Sequence, residues 1–491
     1  MLLIAALHSK QIRMQKSMGV VYGAKARLKP RPTSAICKEI MKGTISEAKV
    51  VAMLAREKAF FIQRNPKSKG HSDNAARNWL RGVPMHWMVD WGTPFPLFVE
   101  KAEGVDLTDA DGNTYIDFCL GDTGAMFGHS PEPVVDTLKR EGANGFTTMM
   151  PSTRAARVGQ LLEDRFKLPT WQVTTTASDA NRSVLRWCRA ITGRKKILVF
   201  NHCYHGAVDE TYVNLDHGRP EADSALIGEP HDLTELTKVV EFNDIPALEA
   251  ALAPGDVACV LAEPIMTNVG MVLPDDGFHK ALRDITRRTG TLLIIDETHC
   301  MSSGPGGYTG EYGLEPDALV LGKPIAGGIP AAVYGFSEAV TTRIWDYLKT
   351  RPPGHSGIGT TLAGSKIQLA LMETVLETYF TRDAFSALIA LAKKLEKGLV
   401  DVIIKHSAPW HVVRAGARVE FMCCPNRPRN GGEAAKMIHQ PIDQAVHHHL
   451  LNRGIIMTPF HNMLLICPAT TEAHVNKMIE GLDHCLAELM S

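Results

Sequence analysis

Four short apolar runs each end in a side chain that can do covalent, acid–base or stacking chemistry. Asp296 follows TLLII, Lys323 follows ALVLG, Glu263 follows VLA, and Cys203-Tyr204-His205-Gly206 follows ILVFN. A lysine leaving a strand into the turn LGKPIAGGIP is poorly placed for a plain surface charge, and a desolvated amine is a nucleophile toward carbonyls. Alone, Lys323 reads better as a lysine capping a strand end near the surface. Asp296 is a carboxylate where burial demands a cationic partner. A protonated pyridine nitrogen would serve, and a helix cap or an ion pair would serve as well. Tyr204 offers a flat face for stacking on a planar ligand, or reads as a half-buried core tyrosine.

These residues need a scaffold that brings strand ends to one rim. Between about 131 and 340, helical stretches such as PEPVVDTLKREG alternate with KILVF (196–200), VACVLAEP (257–264), TLLIIDE (291–297), ALVLGK (318–323) and AAVYGF (331–336). Continuous Val/Ile/Leu runs between helices predict strands buried on both faces of a mostly parallel sheet. In such sheets ligands bind beyond the carboxyl ends of the strands. TTTASDANRSVLRWCRAITG (174–193) predicts a helix with Ser178 as N-cap and an apolar face of Ala180, Val184, Leu185, Cys188 and Ile191. The N–H groups at such a helix start can hold a phosphate.

The ordered set ASDA, CYHG, AEPIMTNVG, IIDETH, LGKPIAGGIP and GTTLAGS resembles the class III aminotransferases of fold type I, and within them the branch containing glutamate-1-semialdehyde aminomutase. The resemblance spans roughly residues 65–488. It implies pyridoxal 5′-phosphate as cofactor, with Lys323 carrying it as a Schiff base, Asp296 at the ring nitrogen and His299 beside the ring. It further implies Ala177 and Ser178 at the phosphate, Tyr204 stacked on the ring, and Glu263 as the glutamate of the Glu-Pro motif. Thr361 matches a threonine that reaches the cofactor phosphate of a neighbouring subunit, which implies a homodimer with shared active sites.

The sequence departs from that pattern in places. Ala177 stands where glycine is usual, Pro324 follows the lysine directly, and Ser365-Lys366 replaces the usual Asn-Pro. GVPMHWM (82–88) has Met88 where the aminomutases place an arginine for the substrate carboxylate, which speaks against glutamate-1-semialdehyde. His86 and Trp87 suggest an aromatic or apolar pocket instead. Arg418, in GARVEF, is then the best candidate for binding a substrate carboxylate, although it also fits a surface position on an edge strand.

The domain expectation is an N-terminal extension (1–50), an N-terminal segment with a small antiparallel unit of two β-prone runs (51–130), a large cofactor-binding domain (131–370) and a C-terminal domain (371–491). The N- and C-terminal segments together form the smaller α/β domain. Lys and Arg number 53, as do Asp and Glu, so a basic surface for nucleic acid is not indicated. No apolar run approaches the roughly 18 residues of a membrane span. Ten cysteines show no C-x-x-C spacing, which fits a reduced, cytoplasmic protein. Residues 1–38 carry eight Lys or Arg and no Asp or Glu, a composition that leaves organellar targeting open. GPGGYTG (304–310) reads as a mobile loop, His447–His449 as a solvated helix surface, and neither as a metal site.

The functional expectation is a transaminase. It would move an amino group between an amine or amino acid, β-amino acids among them, and a keto acid or aldehyde by a ping-pong cycle. The alternatives are an aminomutase or racemase using the same cofactor, and a non-catalytic protein on the same fold; retention of both Asp296 and Lys323 speaks against the last.

Overall fold

The computed structural model describes residues 45–352 and 356–491. The basic leader lies outside them. Two helices, α1 (Glu47–Arg64) and α2 (Pro66–Ala75), precede a small antiparallel unit of β1 (Val99–Glu103), β2 (Asp106–Asp109) and β3 (Thr114–Asp117). The unit has three strands rather than two runs. Gly104, at φ 60°, lets the chain reverse after Glu103, and Asp111-Gly112-Asn113 then closes the second hairpin.

Helices α3 (Glu132–Gly142) and α4 (Ala155–Phe166) lead into the large unit. There β4 (Thr170–Thr174), α5 (Ala177–Thr192) and β5 (Lys196–Phe200) are followed by the hairpin β6 (Val213–Asp216) and β7 (Arg219–Ala222). Next come β8 (Thr237–Val240), α6 (Ile245–Leu252), β9 (Val257–Ala262), α7 (Phe278–Thr289) and β10 (Leu292–Asp296). The unit continues through α8 (Gly307–Tyr312), β11 (Ala318–Leu321), β12 (Ala332–Phe336) and α9 (Glu338–Lys349). Its seven strands lie in the order β4-β12-β11-β10-β9-β5-β8. Only β12 runs against the others. Every residue of β9, β10 and β11 is buried, as a strand covered by helices on both faces must be.

The chain then runs through α10 (Lys366–Thr378) and the long α11 (Arg382–Lys405) to β13 (His411–Ala415) and β14 (Arg418–Met422). It closes with α12 (Gly431–Met437), α13 (Gln440–Leu451), β15 (Ile455–Ile456), β16 (Met463–Leu465) and α14 (Glu472–Met490). Strand β15 pairs in parallel with β3, through Ile455 with Ile116 and Ile456 with Asp117. Asn452 donates to the Glu57 carbonyl (2.9 Å) and carboxylate (2.7 Å). N- and C-terminal segments thus build one smaller unit, as expected, while α1 begins before residue 50.

Two surface expectations are corrected. Residues 307–312 form helix α8, with Gly307, Tyr308 and Thr309 buried, rather than a mobile loop. Buried Glu297 fixes its start, accepting from the N–H groups of Tyr308 (3.1 Å) and Thr309 (2.5 Å). Burial still raises this carboxyl to about 7, against the bonds from Thr309 and Tyr308. His448 and His449 are buried in α13, because α1 and α14 pack on two sides of that helix. His448 Nδ1 meets the Gln444 carbonyl (2.7 Å), His449 faces Glu57 (3.7 Å) and His447 meets Asn462 (2.8 Å), so the three rings do diverge.

Candidate active site

Because β9, β10 and β11 are parallel neighbours, Glu263, Asp296 and Lys323 leave the sheet at the same edge. They border a cavity of about 310 Å³ with Ala177, Ser178, Tyr204 and His299. Seven of the ten predicted site residues therefore converge. The other three do not reach the cavity in this chain. Thr361 is exposed in the turn before α10, and Trp87 is 45 % exposed. Arg418 is 1 % exposed and sits behind His299.

At the cavity floor, Asp296 Oδ2 accepts from His205 Nδ1 (2.9 Å) and Asn181 Nδ2 (2.9 Å), and Oδ1 accepts from the Thr298 N–H (3.1 Å). Burial opposes ionisation, yet the His205 bond and charge outweigh it and bring the carboxyl down to about 2. His205 is correspondingly raised, burial being overcome by its charged neighbours. The pairing stabilises the fold fully above the carboxyl's ordinary range and is lost as pH falls through about 2, so Asp296 carries its charge across any working pH. The sequence puts His205 at this rim, within Cys203–Gly206, without a role, and gives no place to Asn181. Asn181 could have been found, as a polar residue beside Ala180 on the apolar face of α5.

Lys323 has φ 44°, a left-handed conformation that costs a non-glycine residue about 1–2 kcal/mol. Pro324 already disfavours the right-handed helical region for the residue before it. Gly322 keeps the chain close to α5, since a Cβ there would lie 2.8 Å from Ala177 Cβ. The Lys323 ammonium donates to Asp122 Oδ2 (2.6 Å) and His299 Nε2 (2.7 Å). Burial first, then the Lys323 charge, push His299 well below its ordinary value, so it stays neutral and accepts. Asp122 is not among the candidate residues of the sequence.

Helix α5 starts at Ala177 with Thr176, not Ser178, as N-cap: the Thr176 hydroxyl accepts from the Asp179 N–H (3.2 Å). Ser178 is instead drawn away to accept from the Ala207 N–H (2.9 Å). The Asp179 carboxylate turns back to the Thr176 hydroxyl (2.9 Å). The N–H groups of Ala177 and Ser178 belong to the first turn and have no partner within the helix. Gly206 (φ 80°) crosses directly over Ser178, where an added Cβ would lie 2.2 Å from Ser178 Oγ. Gly206→Ala is therefore expected to cost about 1–3 kcal/mol and to loosen the cofactor's phosphate end. Thermal melts and cofactor retention on dialysis check this.

Glu263 is buried at the opposite wall. Its Oε2 accepts from the Thr267 hydroxyl (2.6 Å), the Thr267 N–H (3.0 Å) and Asn268 (3.1 Å). Burial raises its carboxyl above the ordinary value. Tyr204 is 47 % exposed, a ring presented to the cavity rather than a core residue. Arg418 corrects the edge-strand alternative: β14 is the middle strand of β13-β14-β16. Its Nη2 donates to Thr123 Oγ1 (2.6 Å) and the His299 carbonyl (3.1 Å), while Nε and Nη1 are buried without a partner.

A buried anion at the floor, free helix N–H groups, a half-exposed aromatic ring and a lysine on a strained turn fit pyridoxal 5′-phosphate in every part. The tight approaches at Gly206 and Gly322 shape the same cradle. Fold and site together define a pyridoxal-phosphate enzyme of fold type I. The family model for class-III aminotransferases matches residues 88–486, and the chain belongs to that family. It is 30 % identical over 403 residues to the glutamate-1-semialdehyde 2,1-aminomutase of Akkermansia muciniphila, covering 80 % of this chain and 92 % of that one. Among solved structures it is similar to a glutamate-1-semialdehyde aminomutase from Pseudomonas aeruginosa PAO1 in complex with PMP. That match has 48 % identity and a TM-score of 0.89, covering 91 % of this chain and all of the other. A β-phenylalanine aminotransferase from Variovorax paradoxus matches at 25 % identity and a TM-score of 0.80, covering 89 % and 97 %. No helix among the described residues is long and apolar enough to cross a membrane.

Proposed function

We propose that this class III aminotransferase moves an amino group between an amino acid, β-amino acids among them, and a keto acid in a ping-pong cycle. The observation that carries this reading is the opening of Lys323 and Asp296 into one cavity from adjacent parallel strands. When bound, pyridoxal 5′-phosphate supplies a carbonyl for the incoming amine and a ring that accepts the electron pair released at the substrate carbon. Asp296 would be the anion at the ring nitrogen. Tyr204 would stack on the ring, and the first turn of α5 with Ser178 would hold the phosphate. His299 and Glu263 would wall the ring, and Thr361 would reach the cofactor phosphate of a second copy. The free Lys323 amine would be the base that takes a proton from the substrate carbon and, as the conjugate acid, would deliver it to the cofactor's C4′ carbon.

The homodimer rests on the place of Thr361 in the motif GTTLAGS, and Thr361 is exposed as a contact with a second copy requires. None of the nine described cysteines forms a disulfide, which supports a cytoplasmic setting.

The second reading, an intramolecular aminomutase, is favoured by the names of the relatives at 30 % and 48 % identity. Met88 in place of the substrate-binding arginine weighs against it. Product analysis with and without added pyruvate separates the two: a transaminase forms alanine from pyruvate, an aminomutase converts its substrate without a keto acid.

Arg418 lies behind His299, off the cavity wall, so it acts on a substrate carboxylate through its charge rather than by direct contact. Arg418→Ala is expected to raise KM for carboxylated substrates about 2–5-fold while sparing plain amines, the scale of an ion pair without a direct bond. Unchanged kinetics for carboxylated substrates would remove Arg418 from the substrate site.

A further inference from the structure

A second carboxylate reaches the lysine from outside the strand-end rim. Leu120, Gly121, Asp122 and Thr123 follow one another with φ of 47°, 58°, 50° and 83°. Three of the four are not glycine, and such a run persists only where its surroundings over-determine it. Those surroundings are explicit. Asp117, at the end of β3, accepts through Oδ1 from the N–H groups of Cys119 (2.7 Å) and Leu120 (3.0 Å). Its Oδ2 is held by His129 (2.8 Å). Leu120 and Thr123 are fully buried. The result of this construction is Asp122 Oδ2 at 2.6 Å from Lys323 Nζ. Its Oδ1 is buried without a hydrogen-bond partner, 3.8 Å from His299 Nδ1.

We propose that Asp122 is a further catalytic residue, whose carboxylate holds the Lys323 amine in place when that amine is not bonded to the cofactor and stabilises the ammonium ion it becomes on taking up a proton. The inference rests on Lys323 being the cofactor lysine. The proton balance is simple. The released amine has two hydrogens, takes a third from the substrate carbon to become an ammonium ion, and passes it to the cofactor carbon that had held the lysine bond; Asp122 takes none. Burial works against the Asp122 charge, but the charges of Lys323, His299 and Arg418 and the Lys323 bond hold its carboxyl far below the ordinary range. Tyr204, Cys119 and His461 also feel this charge, and none of them offers Lys323 a second anion.

The test uses acetic anhydride on the apoenzyme at mildly alkaline pH, with acetylation of Lys323 read by peptide mass spectrometry against exposed Lys139. Asp122→Asn is expected to speed Lys323 acetylation about tenfold, the effect of one unit in amine protonation. In the cofactor-loaded enzyme, the pH midpoint of the visible band is expected to move about one unit toward acid, because a carboxylate favours the protonated lysine–cofactor linkage. An unchanged rate and an unchanged midpoint would overturn the proposal. If bound cofactor does not protect wild-type Lys323 from acetylation, the assignment of Lys323 fails and this inference with it. If cofactor protects but Asp122→Asn changes nothing, only the Asp122 role fails. Asp122→Ser is read in parallel. Loss of the wild-type circular dichroism spectrum in both variants would assign Asp122 to the fold alone and reject the catalytic role.

Discussion

Lys323→Ala is expected to abolish the visible band of the lysine–cofactor bond and to lower turnover at least about 10³-fold. The scale is that of removing a covalent nucleophile that is also the proton carrier. The geometry explains why no neighbour substitutes. Lys323 is the lysine lining the cavity, and it is aimed there by Gly322, by Pro324 and by its bonds to Asp122 and His299. Cofactor should still associate, because Asp296, Tyr204 and the start of α5 remain. Borohydride reduction followed by peptide mapping gives the direct measurement: wild type should carry the reduced cofactor on the Lys323 peptide, and the variant on none. Turnover within tenfold of wild type, or a reduced label elsewhere, would place the covalent chemistry on another lysine.

The parts of the site readable from sequence were those that depend on local pattern. Asp296, Glu263, Lys323 and Tyr204 each follow an apolar run, and parallel strands put such positions on one edge whatever the distant contacts are. The antiparallel course of β12 was not readable, because AAVYGF is as apolar as its parallel neighbours. The burial of Arg418 was hidden for a related reason: β14 becomes a middle strand only when Met463–Leu465 returns to its far side. The burial of His448 and His449 likewise depends on α1, which begins some four hundred residues earlier in the chain. Asp122 was lost because its backbone is set by Asp117 and His129 from outside the turn, and GDTG alone specifies no direction for the carboxylate. Gly-rich 304–310 misled for the opposite reason. Its flexibility by composition is removed by one buried acceptor, Glu297, that captures two of its N–H groups.

Asp296→Asn is expected to leave the fold intact and to cut turnover about 10²–10³-fold, the range seen when one preorganised electrostatic group is removed from a site. The side chain accepts three hydrogen bonds and donates none. An asparagine amide can keep its oxygen toward His205 and Asn181, but its NH₂ group then meets the Thr298 N–H, donor against donor. An uncharged amide also leaves no anion to keep a ring nitrogen protonated. His205, buried and raised by Cys203 and Asp296 against its burial, loses the Asp296 charge as well, so the pairing at the floor of the cavity is lost with the anion. The loss should therefore fall mainly on kcat, with cofactor affinity weakened less, since the phosphate and stacking contacts are elsewhere. Single-turnover rates with a saturating amino donor, measured beside cofactor titrations, separate the two effects. Near-normal turnover in Asp296→Asn would mean that another group keeps the ring nitrogen protonated, and would remove Asp296 from the chemistry.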